Sequence, residues 1–204
     1  MNHSEIKKII EALLFASPEP LSQKKINFVF NPETYNLKEI INVLNKQYLK
    51  EKHSFEIRQV AGGFQMVSKE KYEVFIRKML NQSGRLSLSS AALDCLAIIA
   101  YKQPIGRYEI EAIRGVDSSG VLKTLLGRNV IKIMGRDSGP GRPLLYKTTN
   151  KFLEYFGINR LSDLPKLKEV SELIESDPTL GEQISVFQSE SSIKDIFDDD
   201  LSKN

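Results

Sequence analysis

VIKIMGRDSGPGRPLLYKTT, residues 130–149, sets two apolar-rich stretches on either side of a run of glycine, proline and arginine. Such a run can be a phosphate-cradling loop, a fragment of a protease site, or the tip of a β-hairpin. Proline fixes φ and glycine frees it, which is what a short exposed turn between two strands requires. The flanking sequence decides among the three.

Upstream, SSAALDCLAIIAYK (89–102) has the apolar density of a buried helix and stops before Pro104, which cannot continue the hydrogen-bond ladder. Gly106 stands at the N-cap of the next helix, RYEIEAIRG, with Glu109 three residues on to reach back. Gly115 breaks that helix, and Asp117 or Ser118 caps SSGVLKTLLGR. Downstream, NKFLEYFG reads as a last short helix. The order is helix, helix, helix, hairpin, so GRDSGPGRP joins two strands.

The same order stands in the first half. Residues 4–16 place Ile6, Ile9, Ile10, Leu13 and Leu14 on one helical stripe, and Pro18 and Pro20 end it. A short helix around 22–30 follows. Asn36 then caps LKEIINVLNKQYLKEK, with Glu39 in the reciprocal position. FEIRQVAGGFQMVSK alternates around Gly62-Gly63, the residues expected to turn a hairpin, and a helix over 69–80 closes the unit.

A helix-turn-helix followed by a hairpin is the winged-helix arrangement. The expected fold class is therefore α+β and mainly helical, with two tandem winged-helix domains. Their expected bounds are 1–80 and 86–167, joined by a linker at 81–85. An acidic tail occupies 168–204; KLKEVSELIES (166–176) suggests a helix running into it, with Leu167, Val170, Leu173 and Ile174 on one side, and disorder is expected after Asp177-Pro178.

Bulk properties limit the function. Hydrophobic residues make up 41% and charged residues 27%, an ordinary globular balance, and no apolar run reaches the roughly 20 residues that span a bilayer. The start, MNHSEIKKIIEALLF, lacks a signal peptide's continuous apolar core, so a cytoplasmic protein is expected. The one cysteine, Cys95, excludes an internal disulfide, and its apolar neighbours make it a core residue. Residues 169–204 hold ten acids against Lys194 and Lys203, a balance of −8, so the other residues carry +11 of the formal +3. A basic body suits a polyanion or an acidic partner. It equally suits a merely solvated surface.

Catalytic motifs fail on inspection. GVDSSGVL (115–122) has a P-loop's two glycines but places Val121-Leu122 where Lys-Ser/Thr must stand. GPGRPL (139–144) lacks the third glycine of a dinucleotide fingerprint. RDSGPG resembles a serine-protease segment, yet only His3 and His53 could serve Ser138 as a base. Metal ligands do not recur at useful spacing, and no catalytic residue, cofactor, metal or small-molecule substrate is expected.

Binding surface remains. A winged helix ordinarily reads DNA with the second helix of its helix-turn-helix and with its wing. Lys38, Asn42, Lys46 and Gln47 face solvent on that helix in the first unit; Ser119, Lys123, Thr124 and Arg128 do so in the second. Few of the latter are the Arg, Asn or Gln forks that read bases. The second wing carries Lys132, Arg136, Arg142 and Lys147, which suit phosphates or a partner's carboxylates, or are simply hydrated. In that last reading Pro143 only fixes the start of an edge strand. Ile98 and Tyr101 fall off the core stripe of their helix, which implies a protein interface or packing against the other unit.

LDCLAIIAYKQPIGRYEIEAIRGVDSSGVLKTLLGRNVIKIMGRDSGPGRPLLYKTTNKFLEYFGINRLSDLP closely resembles the second winged helix of segregation and condensation protein B, ScpB. EALLFASPEPLS and VAGGFQMVSK resemble its first unit, and the likeness covers about residues 5–167. Two departures stand out: Lys147 where a glycine is expected before the paired threonines, and Gly127 where a charged residue is common. The resemblance implies a non-enzymatic accessory subunit of the bacterial SMC condensin-like complex, nucleoid-associated in the cytoplasm. It implies a homodimer formed chiefly through the first winged helix, with the kleisin ScpA held chiefly by the second. The SMC ATPase would be reached through the kleisin, DNA indirectly or weakly, and a membrane not at all. Candidate kleisin contacts are Ile98, Tyr101, Arg107, Ile110, Arg114, Arg142 and Tyr146, chosen as side chains expected to project from the second unit. A tandem winged-helix transcriptional regulator is the alternative. Beyond residue 168 the resemblance ends; IKDIFDDDL (193–201) reads as a solvated tail or a short docking segment.

Overall fold

A computed structural model describes residues 2–81 and 88–166. Most of the expected linker, the helix suggested by KLKEVSELIES and the expected tail lie outside these residues. The chain is mixed helix and strand and divides into two compact units. One comprises Met1–Leu86 with Leu153–Arg160, the other Ser87–Phe152 with Leu161–Asn204.

The first unit runs α1 (His3–Ala16), α2 (Gln23–Val29), α3 (Leu37–Lys50), β1 (Phe55–Val60) and β2 (Gly63–Ser68). A single 3-10 turn at Glu70–Tyr72 then leads into α4 (Glu73–Asn81), where a helix from residue 69 was expected. Each of the first three helices starts on a side-chain cap: Asn2, Ser22 and Asn36 accept from backbone N–H groups of the first turn. Glu39 reaches back as expected, but to the Asn36 side-chain amide (2.8 Å). Gln23 Oε1 takes the Leu37 N–H instead (2.9 Å), tying α2 to the start of α3. The apolar stripe of α1 (Ile6, Ile10, Leu14) meets Ile26, Ile40, Ile41 and Leu44 in the core, with Ile9 and Leu13 half-buried at its margin.

The β1–β2 register pairs Val60 with Gly63, so the turn residues are Ala61 and Gly62, one position earlier than the sequence suggested. Both have positive φ (50° and 79°), the geometry of the two-residue turn whose twist matches a hairpin. Gly63 belongs to β2 for a different reason. A Cβ there would lie 2.8 Å from the Pro20 carbonyl carbon, because Leu21 and Phe64 exchange backbone hydrogen bonds (2.7 and 2.9 Å).

The second unit runs α5 (Ser90–Lys102), β3 (Ile105–Gly106), α6 (Arg107–Arg114), α7 (Ser119–Gly127), β4 (Ile131–Arg136) and β5 (Leu144–Thr148); α8 (Asn150–Phe156) follows, its residues from Leu153 onward grouped with the first unit. Glu109 Oε2 accepts the Gly106 N–H (2.7 Å), and Gly115 ends α6 in the left-handed region. The hairpin is present as expected, but β3 adds a third strand, giving the order β3-β5-β4. A two-residue strand is too short to announce itself by alternation. Pro143 therefore precedes the central strand rather than an edge strand, and the edges are β3 and β4. GRDSGPGRP forms the last two residues of β4 and the connection to β5. Asp137 N–H donates to the Pro143 carbonyl (2.8 Å) across its base, and Gly141 and Arg142 turn with positive φ.

Candidate functional site

Of the seven candidate contact residues, Tyr101, Arg107 and Arg142 reach the surface of the second unit. Tyr101, near the end of α5, is 37% exposed, and its hydroxyl donates to the Pro165 carbonyl (2.8 Å). Arg107 opens α6 half-buried, 3.4 Å from Glu111 Oε1, with its guanidinium over the Tyr108 ring. Arg142 is exposed at the hairpin tip, where its carbonyl accepts from Arg136 Nη1 (3.0 Å).

The other four correct the expectation that they project. Ile98 is only 3% exposed, because α5 packs against α6, α7 and β5 and is covered on more than one side. Ile110 is fully buried on α6. Tyr146 sits on the central strand, flanked by Ile105 and Ile133, and is buried. Arg114 is 8% exposed and turned inward. A helical wheel drawn for a three-helix unit misses the cover that the three-stranded sheet supplies.

Arg114 anchors a polar cluster at the turn between α6 and α7. Its Nη1 donates to Ser118 Oγ (2.8 Å), and the Ser118 N–H donates to Glu111 Oε1 (3.1 Å). Burial raises the Asp94 carboxyl above its ordinary range, with the Arg114 charge opposing the rise. Burial likewise pushes the Cys95 thiol up, against opposing contributions from Ser118 and Arg114. Asp117, by contrast, is held low by the Ser119 hydroxyl, which donates to it at 2.7 Å. A fully buried, protonated thiol is a packing group, as its neighbours in the sequence suggest. Ser118 serves the turn by accepting from Arg114 and makes no cap bond of its own; of the two residues expected to cap α7 it is Asp117 whose Oδ2 accepts the Ser119 N–H (3.3 Å).

The helices that would face nucleic acid differ in kind. On α3, Lys38, Asn42, Lys46 and Gln47 are all exposed, as read from the sequence. On α7, Ser119, Lys123 and Thr124 are exposed and Arg128 is half-buried; Thr124 Oγ1 donates back to the Gly120 carbonyl (3.0 Å). Ser138 and His53 each have local acidic neighbours, Asp137 and Glu51. Among the described residues no three His, Cys, Asp or Glu side chains are grouped to hold a metal. No described helix is long and apolar enough to cross a membrane.

Three exposed apolar features escaped the sequence reading. Ile133 and Met134 stand out on β4 (46% and 56% exposed), where Met134 occupies a β-bulge. Adjacent apolar residues on an edge strand point to opposite faces, and that signal was available in the alternation. On α4, Val74, Phe75 and Met79 face solvent. Beside α1 and the first hairpin, an opening of about 590 Å³ is lined by Lys8, Ala12, Phe15, Phe55 and Met66 among others.

A family model described as segregation and condensation complex subunit ScpB matches residues 8–167. The chain is 41% identical over 180 residues to a segregation and condensation protein B of Syntrophotalea carbinolica, covering 88% of this chain and 91% of that one. It is 45% identical over 164 residues to one of Geobacillus thermodenitrificans, covering 80% and 78%. A solved structure described as a dimer of the ScpB N-terminal domain complexed with ScpA peptide is 27% identical, covers 37% of this chain and 95% of that one, and superposes with a TM-score of 0.33.

Proposed function

The chain belongs to the segregation and condensation complex subunit ScpB family, and from that premise we propose that it is a non-enzymatic scaffold of the SMC–kleisin complex in chromosome condensation and partition. The observation that carries this reading is the family match, which begins within α1 and takes in every later strand and helix of the described residues. Each unit is a winged helix, with α2–α3 and α6–α7 as the helix-turn-helix pairs and β1–β2 and β4–β5 as wings. The working boundaries remain 1–80 and 86–167.

The first unit forms the homodimer and the second holds the kleisin ScpA, through which the SMC ATPase is reached. Exposed apolar side chains on α4 suit the first role, since a run of them on one short helix is unusual for a surface that meets only water. Tyr101, Arg107 and Arg142 suit the second, as an aromatic and two arginines of the kind that anchor interfaces. Ile98, Ile110, Arg114 and Tyr146 support that surface from within. Nucleoid association follows from the complex. The composition of α7 weighs against a base-reading regulator, since it offers solvent no Arg, Asn or Gln fork ahead of Arg128.

Calorimetric titration of the full chain with the central segment of the kleisin from the same genome tests the proposal. Saturable binding at micromolar concentration, weakened at least tenfold by Tyr101→Ser or Arg142→Glu, is expected. No complex at tens of micromolar, with the fold intact by circular dichroism, refutes it.

A further inference from the structure

The second hairpin presents an unusual edge. Between Ser119 and Lys151 the chain holds seven lysines and arginines against one carboxylate, Asp137. Among the described residues no carboxylate lies within 4.0 Å of Lys132, Arg136, Arg142 or Lys147. β4 is an edge strand of its sheet and carries Lys132, Ile133, Met134 and Arg136 all exposed. Cations on an edge strand deter pairing with another copy. They do not account for two large apolar side chains beside them. An edge that is both apolar and cationic fits an extended segment that is both apolar and acidic.

The chain contains one. IKDIFDDDL, residues 193–201, interleaves Ile193, Ile196, Phe197 and Leu201 with Asp195, Asp198, Asp199 and Asp200. We propose that this acidic segment docks along β4 of the same chain, its carboxylates meeting Lys132 and Arg136 and its apolar residues covering Ile133 and Met134. Length permits it. The 29 residues from Lys166 to Asp195 extend to roughly 100 Å at about 3.5 Å each, several times the radius of about 11–12 Å expected for a unit of this size. Tethering supplies an effective concentration in the millimolar range, so a weak contact suffices. Charge favours this occupant as well: the segment beyond residue 168 sums to −8, whereas the stretch from Ser119 to Lys151 sums to +6. The docked segment would shield the wing from other polyanions. This docking stands independently of which surface the kleisin uses.

Photo-crosslinking of the full chain decides it, with benzoylphenylalanine in place of Phe197 and the products mapped by mass spectrometry. The expected result is a cross-link within a single chain to residues 131–136. It should fall about tenfold on Lys132→Glu with Arg136→Glu, on neutralising Asp198, Asp199 and Asp200 to Asn, and in 0.5 M salt, which shortens the screening length. Both sets of positions are exposed or outside the described fold, and circular dichroism checks that each variant is folded. A cross-link elsewhere, one only between chains, or one indifferent to charge and salt overturns the proposal. So does a random 24-base-pair duplex that binds the full chain through Lys132 and Arg136 while Phe197 cross-links nowhere on β4; that result assigns the edge to nucleic acid.

Discussion

Asn45 on α3 holds both backbone groups of Ile57 on β1: its Nδ2 donates to the Ile57 carbonyl (2.8 Å) and its Oδ1 accepts the Ile57 N–H (2.9 Å). A side-chain amide thus supplies what a third strand would supply at that edge, as β3 does for β5 in the second unit. Removing it strands a donor and an acceptor at a half-buried site, each worth about 1–3 kcal/mol when left unpaired. Asn45→Ala should therefore destabilise the first unit by about 1–3 kcal/mol after water recovers part of the loss. A lower urea midpoint with unchanged slope is the expected measurement.

Two neighbouring glycines make a sharper test. At Gly62 the left-handed φ of 79° matters and the space around it is open, with nothing within 4 Å of an added Cβ. At Gly63 the space matters, because Pro20 backbone atoms lie within 2.9 Å of where the Cβ would be. Gly62→Asn should cost little, since Asn tolerates that φ. Gly63→Ala must push α1's following segment off β2 and should cost about 1–3 kcal/mol. The order of the two melting temperatures checks the assignment; equal losses contradict it.

That pair also shows where sequence reading stops. Local signals fixed by one residue's own chemistry were legible: the cap at Asn36, the stop at Gly115, the hairpin connection at GRDSGPGRP. Gly62 and Gly63 looked alike because a close approach by Pro20, some forty positions away, leaves no local trace. Ile98, Ile110, Arg114 and Tyr146 were expected to project for the same reason: β3, a two-residue strand, and the packing of α5 on three neighbours are long-range facts. Tyr101 and Arg142 were legible because one ends a helix and the other tips a loop, and such places are exposed in most arrangements.

Asp94 gives a pH test with a defined sign. Burial raises its carboxyl above the ordinary 3.8, with Arg114 opposing. The folded state then holds the proton more tightly than the unfolded chain, so stability falls as pH rises from about 3.8 through the raised folded-state value. Above that value the loss is complete. Asp94→Asn should thus raise the melting temperature at pH 7 and change it little near pH 3.5. A variant that melts lower at pH 7 would show that attraction to Arg114 outweighs desolvation.

The surface of α4 yields the most direct test of the dimer. Phe75 and Met79 lie one turn apart and are 72% and 63% exposed, while the Glu73–Arg77 ion pair sits on the same helix. Residues so exposed contribute little to the unit's own stability, and their replacement ordinarily changes it by about 0.5 kcal/mol or less. In a symmetric dimer each is buried twice. A phenylalanine fully removed from water is worth about 1.5–3 kcal/mol, so losing two copies weakens association by about 3–6 kcal/mol, or roughly two to four decades in Kd. Phe75→Asp, alone or with Met79→Asp, should therefore convert the protein to a single-chain species in sedimentation velocity at micromolar concentration while its melting of secondary structure hardly moves. If the mass stays that of a dimer, α4 is not the interface, and the opening beside α1 lined by Phe15, Phe55 and Met66 becomes the next surface to alter.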